Sequence, residues 1–173
     1  MKKSLIFILS YLLIIPTSFA LDKISKEEFK SLLTNGIVIN AKMTESEILK
    51  TLGKPTKKEI RPSVSNHDDS KVEFIKLIYS GLEITLHKPT QTQGPASIVY
   101  IKVKNNNYKL QHGLFIGMQE HLVRELFSYA REDRYIDKDN IYLFYTAPDS
   151  VHDQIVIKVT NGKASSISWS NMP

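Results

Sequence analysis

Met43-Thr44-Glu45-Ser46-Glu47-Ile48-Leu49-Lys50-Thr51-Leu52-Gly53-Lys54-Pro55 is a short helix with both ends written into it. Thr44 can accept from the backbone N–H of Glu47 while Glu47 reaches back to the N–H of Thr44, the reciprocal capping box. Met43 and Ile48 stand at the two positions of a hydrophobic staple. Ile48, Leu49 and Leu52 make one apolar stripe, Gly53 supplies a left-handed stop, and Pro55 prevents resumption. A blurred copy begins at Met118. Met43 and Glu45 match Met118 and Glu120, Val123 stands for Ile48 and Phe127 for Leu52, and Ser128 replaces Gly53.

Outward from each copy the periodicity changes. Residues 72–79, the break Ser80-Gly81, and residues 82–87, which alternate strictly between apolar and polar, read as a hairpin with one wet face. Residues 98–104 alternate in the same way and read as a third strand. In the second half, a helix over about 120–130 and a charged loop over 131–140 precede three strands at 141–146, 154–160 and 163–170. Asn161-Gly162, between the last two, is a strong two-residue hairpin signal. The polar stretches 57–71 and 88–95 read as loops.

The expectation is therefore an α+β fold of two tandem helix-plus-three-stranded antiparallel modules, 37–110 and 111–173, with the helices packed on one face of the sheet. Two such units sharing a continuous sheet would bury more apolar surface than either alone. A first helix is expected within 21–36, where Ser25 can cap and Glu28 stands three residues on.

Lys2 and Lys3, an apolar run over 5–15 broken only by Ser10, and Pro16-Thr17-Ser18-Phe19-Ala20 have the three-part layout of a secretory signal. Removal of 1–20 would leave a periplasmic or secreted protein with no stable membrane anchor. The uncharged stretch 4–20 is at the low edge of the about 17–25 residues a spanning helix needs. The chain has no cysteine, which excludes a disulfide framework, thiol nucleophiles, cysteine metal sites and an acylated cysteine anchor. The formal charge of +5 includes Lys2 and Lys3, and nucleic acid is not an expected partner of an exported chain.

The string Met-Thr-x-x-Glu-(Ile/Val)-x-x-x-Leu-Gly-x-Pro is carried by Met43, Thr44, Glu47, Ile48, Leu52, Gly53 and Pro55, with Tyr79, Gly81, Leu82 and Ile84 downstream. It resembles the SmpA/OmlA (BamE-like) outer-membrane-assembly domain and, doubled, is similar to the β-lactamase-inhibitor-protein fold. The resemblance covers 37–104 and, with lower specificity, 112–170. It implies an exported, non-enzymatic, protein-binding molecule. Some members help to assemble outer-membrane proteins, and others inhibit a secreted enzyme through the open face of the sheet. The matching positions are cap, staple and core, so they speak of fold and not of a site. The lipoprotein members carry an acylated cysteine that this chain lacks.

Of the five histidines, His67, His87, His112, His121 and His152, no pair has the H-E-x-x-H spacing. There is no G-x-S-x-G elbow and no Gly-rich phosphate loop, so no catalytic residue, metal or other cofactor is expected. A hydrolase or metal-dependent enzyme with a site assembled from distant residues is the alternative. The open face of the sheet is the expected binding surface, presenting Glu83, His87, Tyr100, Lys102 and Lys104, with Thr85 among them, to a protein partner in the cell envelope or medium. Each of these residues also suits the ordinary polar face of a sheet. A second cluster joins Tyr129, Tyr135, Tyr142 and Tyr145 to Arg124, Arg131 and Arg134. Strand parity sends Tyr142 and Tyr145 to opposite faces, so one of them belongs to the core.

Overall fold

In the computed structural model the described residues are 23–25, 28, 33, 37–38, 42–64, 70–90, 95–146 and 153–171. The leader-like segment 1–20, most of the expected first helix, His67 and His152 lie outside them.

The Thr44 hydroxyl accepts from the Glu47 N–H at 3.2 Å, and the Glu47 carboxylate accepts from the Thr44 N–H at 2.7 Å. α1 (Glu45–Leu52) follows, with Ile48 buried, and ends at Gly53, whose φ is 77° and whose N–H donates to the Leu49 carbonyl at 2.8 Å. α2 (Glu120–Leu126) is shorter than the expected 120–130. Its N-cap, Gln119, makes no side-chain bond, and no glycine terminates it; the Ser128 N–H turns back to the Glu125 carbonyl at 3.3 Å.

Around these helices run β1 (Lys42–Met43), β2 (Lys57–Val64), β3 (Lys71–Tyr79), β4 (Leu82–Pro89), β5 (Ala96–Val103), β6 (Arg131–Asp137), β7 (Asn140–Thr146), β8 (Asp153–Thr160) and β9 (Lys163–Asn171). All pair antiparallel in one sheet of order β2-β3-β4-β5-β9-β8-β7-β6, and β1 pairs with the start of β5. The fold thus departs from the expected two helix-plus-three-strand modules. Among the described residues it is a single large antiparallel sheet carrying two short α-helices, and the junction between its halves is an ordinary strand pair, β5 with β9.

Two strands, β2 and β6, occupy stretches read as loops. They are the outer strands of the sheet and nearly every residue in them is exposed or half-buried, so they carry charge where an inner strand carries Val or Ile. What makes them strands is the backbone ladder offered by β3 and β7, which hydropathy does not record; their charge also discourages edge-to-edge pairing with other chains.

Turn chemistry matches the sequence closely. Asn161 and Gly162 have φ of 52° and 71°, the pair of positive values a type I′ hairpin requires. Gly81 closes β3–β4 at φ 88°.

The core lies on the helical side. A row of buried residues crosses the sheet in register, Leu77, Ile84, Ile101, Trp169, Ile155 and Tyr145. Ile48, Val123 and Leu126 from the helices belong to the same cluster, with Ile24, Leu33 and Ile37 from the N-terminal segment. Each fully buried aliphatic side chain stabilises by roughly 1.5–3 kcal/mol. Phe127 stacks on Tyr145 with centroids 4.5 Å apart, which docks the end of α2 on β7.

Candidate functional site

Strand alternation sends every second residue of the sheet to the face opposite the helices. On β4 and β5 those residues include Glu83, Thr85, His87, Tyr100 and Lys102, and Lys104 just beyond continues the series. Glu83 stands directly across from Lys102 and Thr85 from Tyr100. Between Thr85 and Leu86 the register shifts, with Leu86 opposite Ile98, so Val99 is an inserted residue that bends β5 beside Tyr100.

Glu83 is the electrostatic hub of this patch. Its side chain, 13% exposed, receives Lys76 Nζ at 2.9 Å and also pairs with Lys104. Burial pulls its carboxyl upward, but the hydrogen bonds from Lys104 and Lys76 outweigh that effect and hold it below the ordinary carboxylate range. Lys102, directly across from Glu83 in the ladder, makes no ion pair among the described residues. Burial first, and the charge of Lys104 second, press its ammonium below the usual lysine range, while Glu83 acts the other way. Burial raises the Tyr100 phenol, countered by a hydrogen bond with Ser168 of the neighbouring half.

His87 is set apart from these groups. It lies across from Phe74 of β3, ring centroids 5.4 Å apart and tilted by 54°, and makes no contact with Lys102 or Lys104.

The second cluster divides between the two sides. Tyr145 is 1% exposed, its hydroxyl bonds Glu132 at 3.0 Å, and burial pushes its phenol to about 12. Arg124 spans Glu120 at 2.9 Å and Glu132, and the Tyr129 hydroxyl donates to the Ser25 carbonyl at 3.1 Å; these contacts hold α2 and the N-terminal segment against the sheet. Tyr135 and Tyr142 belong to the open face, 6.1 Å apart, with Lys158 of β8 over the Tyr142 ring at 5.9 Å.

Three residues missed from the sequence belong with the expected site: Phe74, Lys76 and Lys158. On β3 both faces carry large apolar residues, so parity alone did not tell Phe74 and Lys76 from the core row. On β8 the clean alternation of Ile155, Ile157 and Val159 did mark Lys158 as open-faced. A hollow of about 260 Å³ lined by Arg61, Phe74, Lys76 and Thr85 indents the same face. His112, in the 3-10 turn Gln111–Gly113, faces Glu28 at 3.3 Å on the helical side. Among the described residues no group of three His, Cys, Asp or Glu side chains could hold a metal ion, and no helix is long and apolar enough to cross a membrane.

No protein-family model and no curated protein matches the chain, so the SmpA/OmlA resemblance rests on its motif residues. Two solved structures are similar to it. One is an extracellular protein containing a SCP domain from Bacillus anthracis str. Ames, at 10% identity and a TM-score of 0.40, over 77% of this chain. The chain spans 44% of that protein's length. The other is a candidate beta-lactamase inhibitor protein from Streptococcus mutans, at 14% identity and a TM-score of 0.27, over 76% of this chain and 84% of the other. Scores of this size leave both fold and function to be read from the chain's own strands.

Proposed function

We propose that this chain is a non-enzymatic, exported module that binds a protein of the cell envelope or the medium through the open face of its sheet. One observation carries the reading. The middle of an antiparallel face presents a half-buried Tyr100 beside Lys102, which makes no direct ion pair among the described residues, while both helices pack on the other side. A solvated sheet face is ordinary, and polar side chains alone would not mark it as an interface. Aromatic anchors held rigid by their neighbours do, because such groups carry much of the energy of protein association. The face gathers Phe74, Tyr100 and Tyr142 within a few strands. Export is supported by the leader-like pattern of residues 1–20 and the non-enzymatic reading by the motif content of the sequence.

The experiment is a cross-linking capture with the tagged mature chain in the envelope and medium of its host, followed by titration of the purified partner against the chain and against Tyr100→Ala and Lys102→Ala. Binding should fall by about tenfold or more for each variant, as for interface anchors, with the fold retained by circular dichroism. Equal affinity of both folded variants for the partner would remove the open face as the binding surface.

A further inference from the structure

The charges of the open face are not mixed evenly. Strands β2 to β5 and β8, with Lys104, turn Lys57, Arg61, Lys76, Lys102, Lys104 and Lys158 toward this side against two carboxylates, Glu59 and Glu83. On these strands that is an excess of four, whereas at the β6 edge the same face turns Asp133 and Asp137 with Arg131. Both carboxylates are already engaged, Glu59 by Lys57 at 2.8 Å and Arg61 at 3.6 Å, and Glu83 by Lys76 and Lys104. Lys102 and Lys158 have no carboxylate partner among the described residues.

We propose that the partner presents an acidic protein surface to this face, with one carboxylate seated between Lys102 and Lys158 and a second in the hollow walled by Arg61 and Lys76 over Phe74. This deepens the interface reading above and rests on it. Lysine is ordinarily depleted from the buried centre of interfaces, because an ammonium there must be paired. Lys102 is already half-buried beside Tyr100, so closing a partner over it without an acceptor would cost more than the contact returns. The Tyr142 ring under Lys158 and the Phe74 floor of the hollow supply apolar walls that strengthen a charge pair once water leaves. From β2 to β8 the cations stretch over five strand spacings, about 24 Å, within the width of a standard protein interface.

Anionic lipid fits less well. A bilayer surface is a uniform field, whereas here cations alternate with the fixed carboxylates Glu59 and Glu83, a pattern that suits fixed counter-charges on a folded partner.

The test uses an acidic peptide of alternating Glu and Tyr and, separately, phosphatidylcholine vesicles containing phosphatidylglycerol, each mixed with the mature isotope-labelled chain and read by NMR. Peptide-induced shifts should cluster around Lys76, Lys102 and Lys158 and shrink between about 50 and 200 mM salt, as the Debye length contracts. Lys102→Glu with Lys158→Glu should abolish them, and Lys50→Glu with Lys54→Glu on the helical side should not. Lys102→Gln with Lys158→Gln gives a milder check should the reversed charges disturb folding. Shifts spread equally over Lys50 and Lys54 would overturn the proposal, as would vesicle binding that depends on Lys102 and Lys158 while the peptide leaves the face untouched. With the captured partner the two readings separate. Loss on Tyr100→Ala but unchanged affinity for the charge-reversed chain would sink the acidic surface and leave the interface standing; indifference to both would sink the interface as well.

Discussion

Gly53 and Gly81 both hold positive φ, 77° and 88°, but only one of them is crowded. A Cβ at Gly53 would meet nothing within 4 Å, whereas at Gly81 it would fall 2.1 Å from the Asn105 side-chain amide. Gly53→Ala should therefore cost only the backbone penalty, about 1 kcal/mol, and Gly81→Ala distinctly more, both read from urea midpoints. Equal costs would mean that Asn105 swings away freely. Glu83 gives the second residue-scale prediction. Its folded pKa lies below the ordinary value, so the stability it lends is present above the ordinary carboxylate range and is lost as pH falls through the folded pKa. Since Lys76 and Lys104 are 35% and 48% exposed, solvent screens the pairs, and Glu83→Gln should cost about 1 kcal/mol at neutral pH. The variant should lose less stability than the parent between neutral pH and acid; parallel pH profiles would show that Glu83 is not held low. Caps and turns of this kind were legible in the sequence because their chemistry is local. The pairing of Glu83 with Lys76 was not, because it depends on which strand lies beside β4.

At the scale of elements, the six inner strands were readable because one face of each is core, which stamps alternation on β4, β5, β8 and β9 and a nearly continuous apolar run on β3 and β7. β2 and β6 were not, because a ladder neighbour rather than side-chain burial makes them strands. Their charges follow from that position at the edge. Replacing Asp133 and Arg134 of β6 by valine should leave β6 paired with β7 but expose an edge with fewer charges and a more apolar centre. Self-association should then appear in light scattering at concentrations where the parent stays monodisperse. A doubly substituted chain that scatters no more than the parent would show that β6 is protected some other way.

Across the whole molecule, the β5–β9 pair joins the halves through Ile101 with Trp169 on the core side and Tyr100 with Ser168 on the open side. Because that seam is part of the ladder, both halves should unfold together. Urea transitions followed by Trp169 fluorescence and by far-UV circular dichroism should coincide, and two separated transitions would restore independence to the halves. The sequence held the two helices and their order but not the single sheet, since nothing local distinguishes a strand that ends a module from one that continues into the next. The binding surface was legible in the same partial way. Parity placed Glu83, Tyr100, Lys102 and Lys104 on one face, while Lys76 and Lys158 joined them only through the strand order. The most direct test of the open face as the working surface is a photo-cross-linking residue placed singly at Tyr100, at Tyr142 and, on the helical side, at Lys50 of the chain produced in its own host. Adducts to the same protein from positions 100 and 142 and none from 50 are the predicted result; adducts from position 50 alone would contradict it.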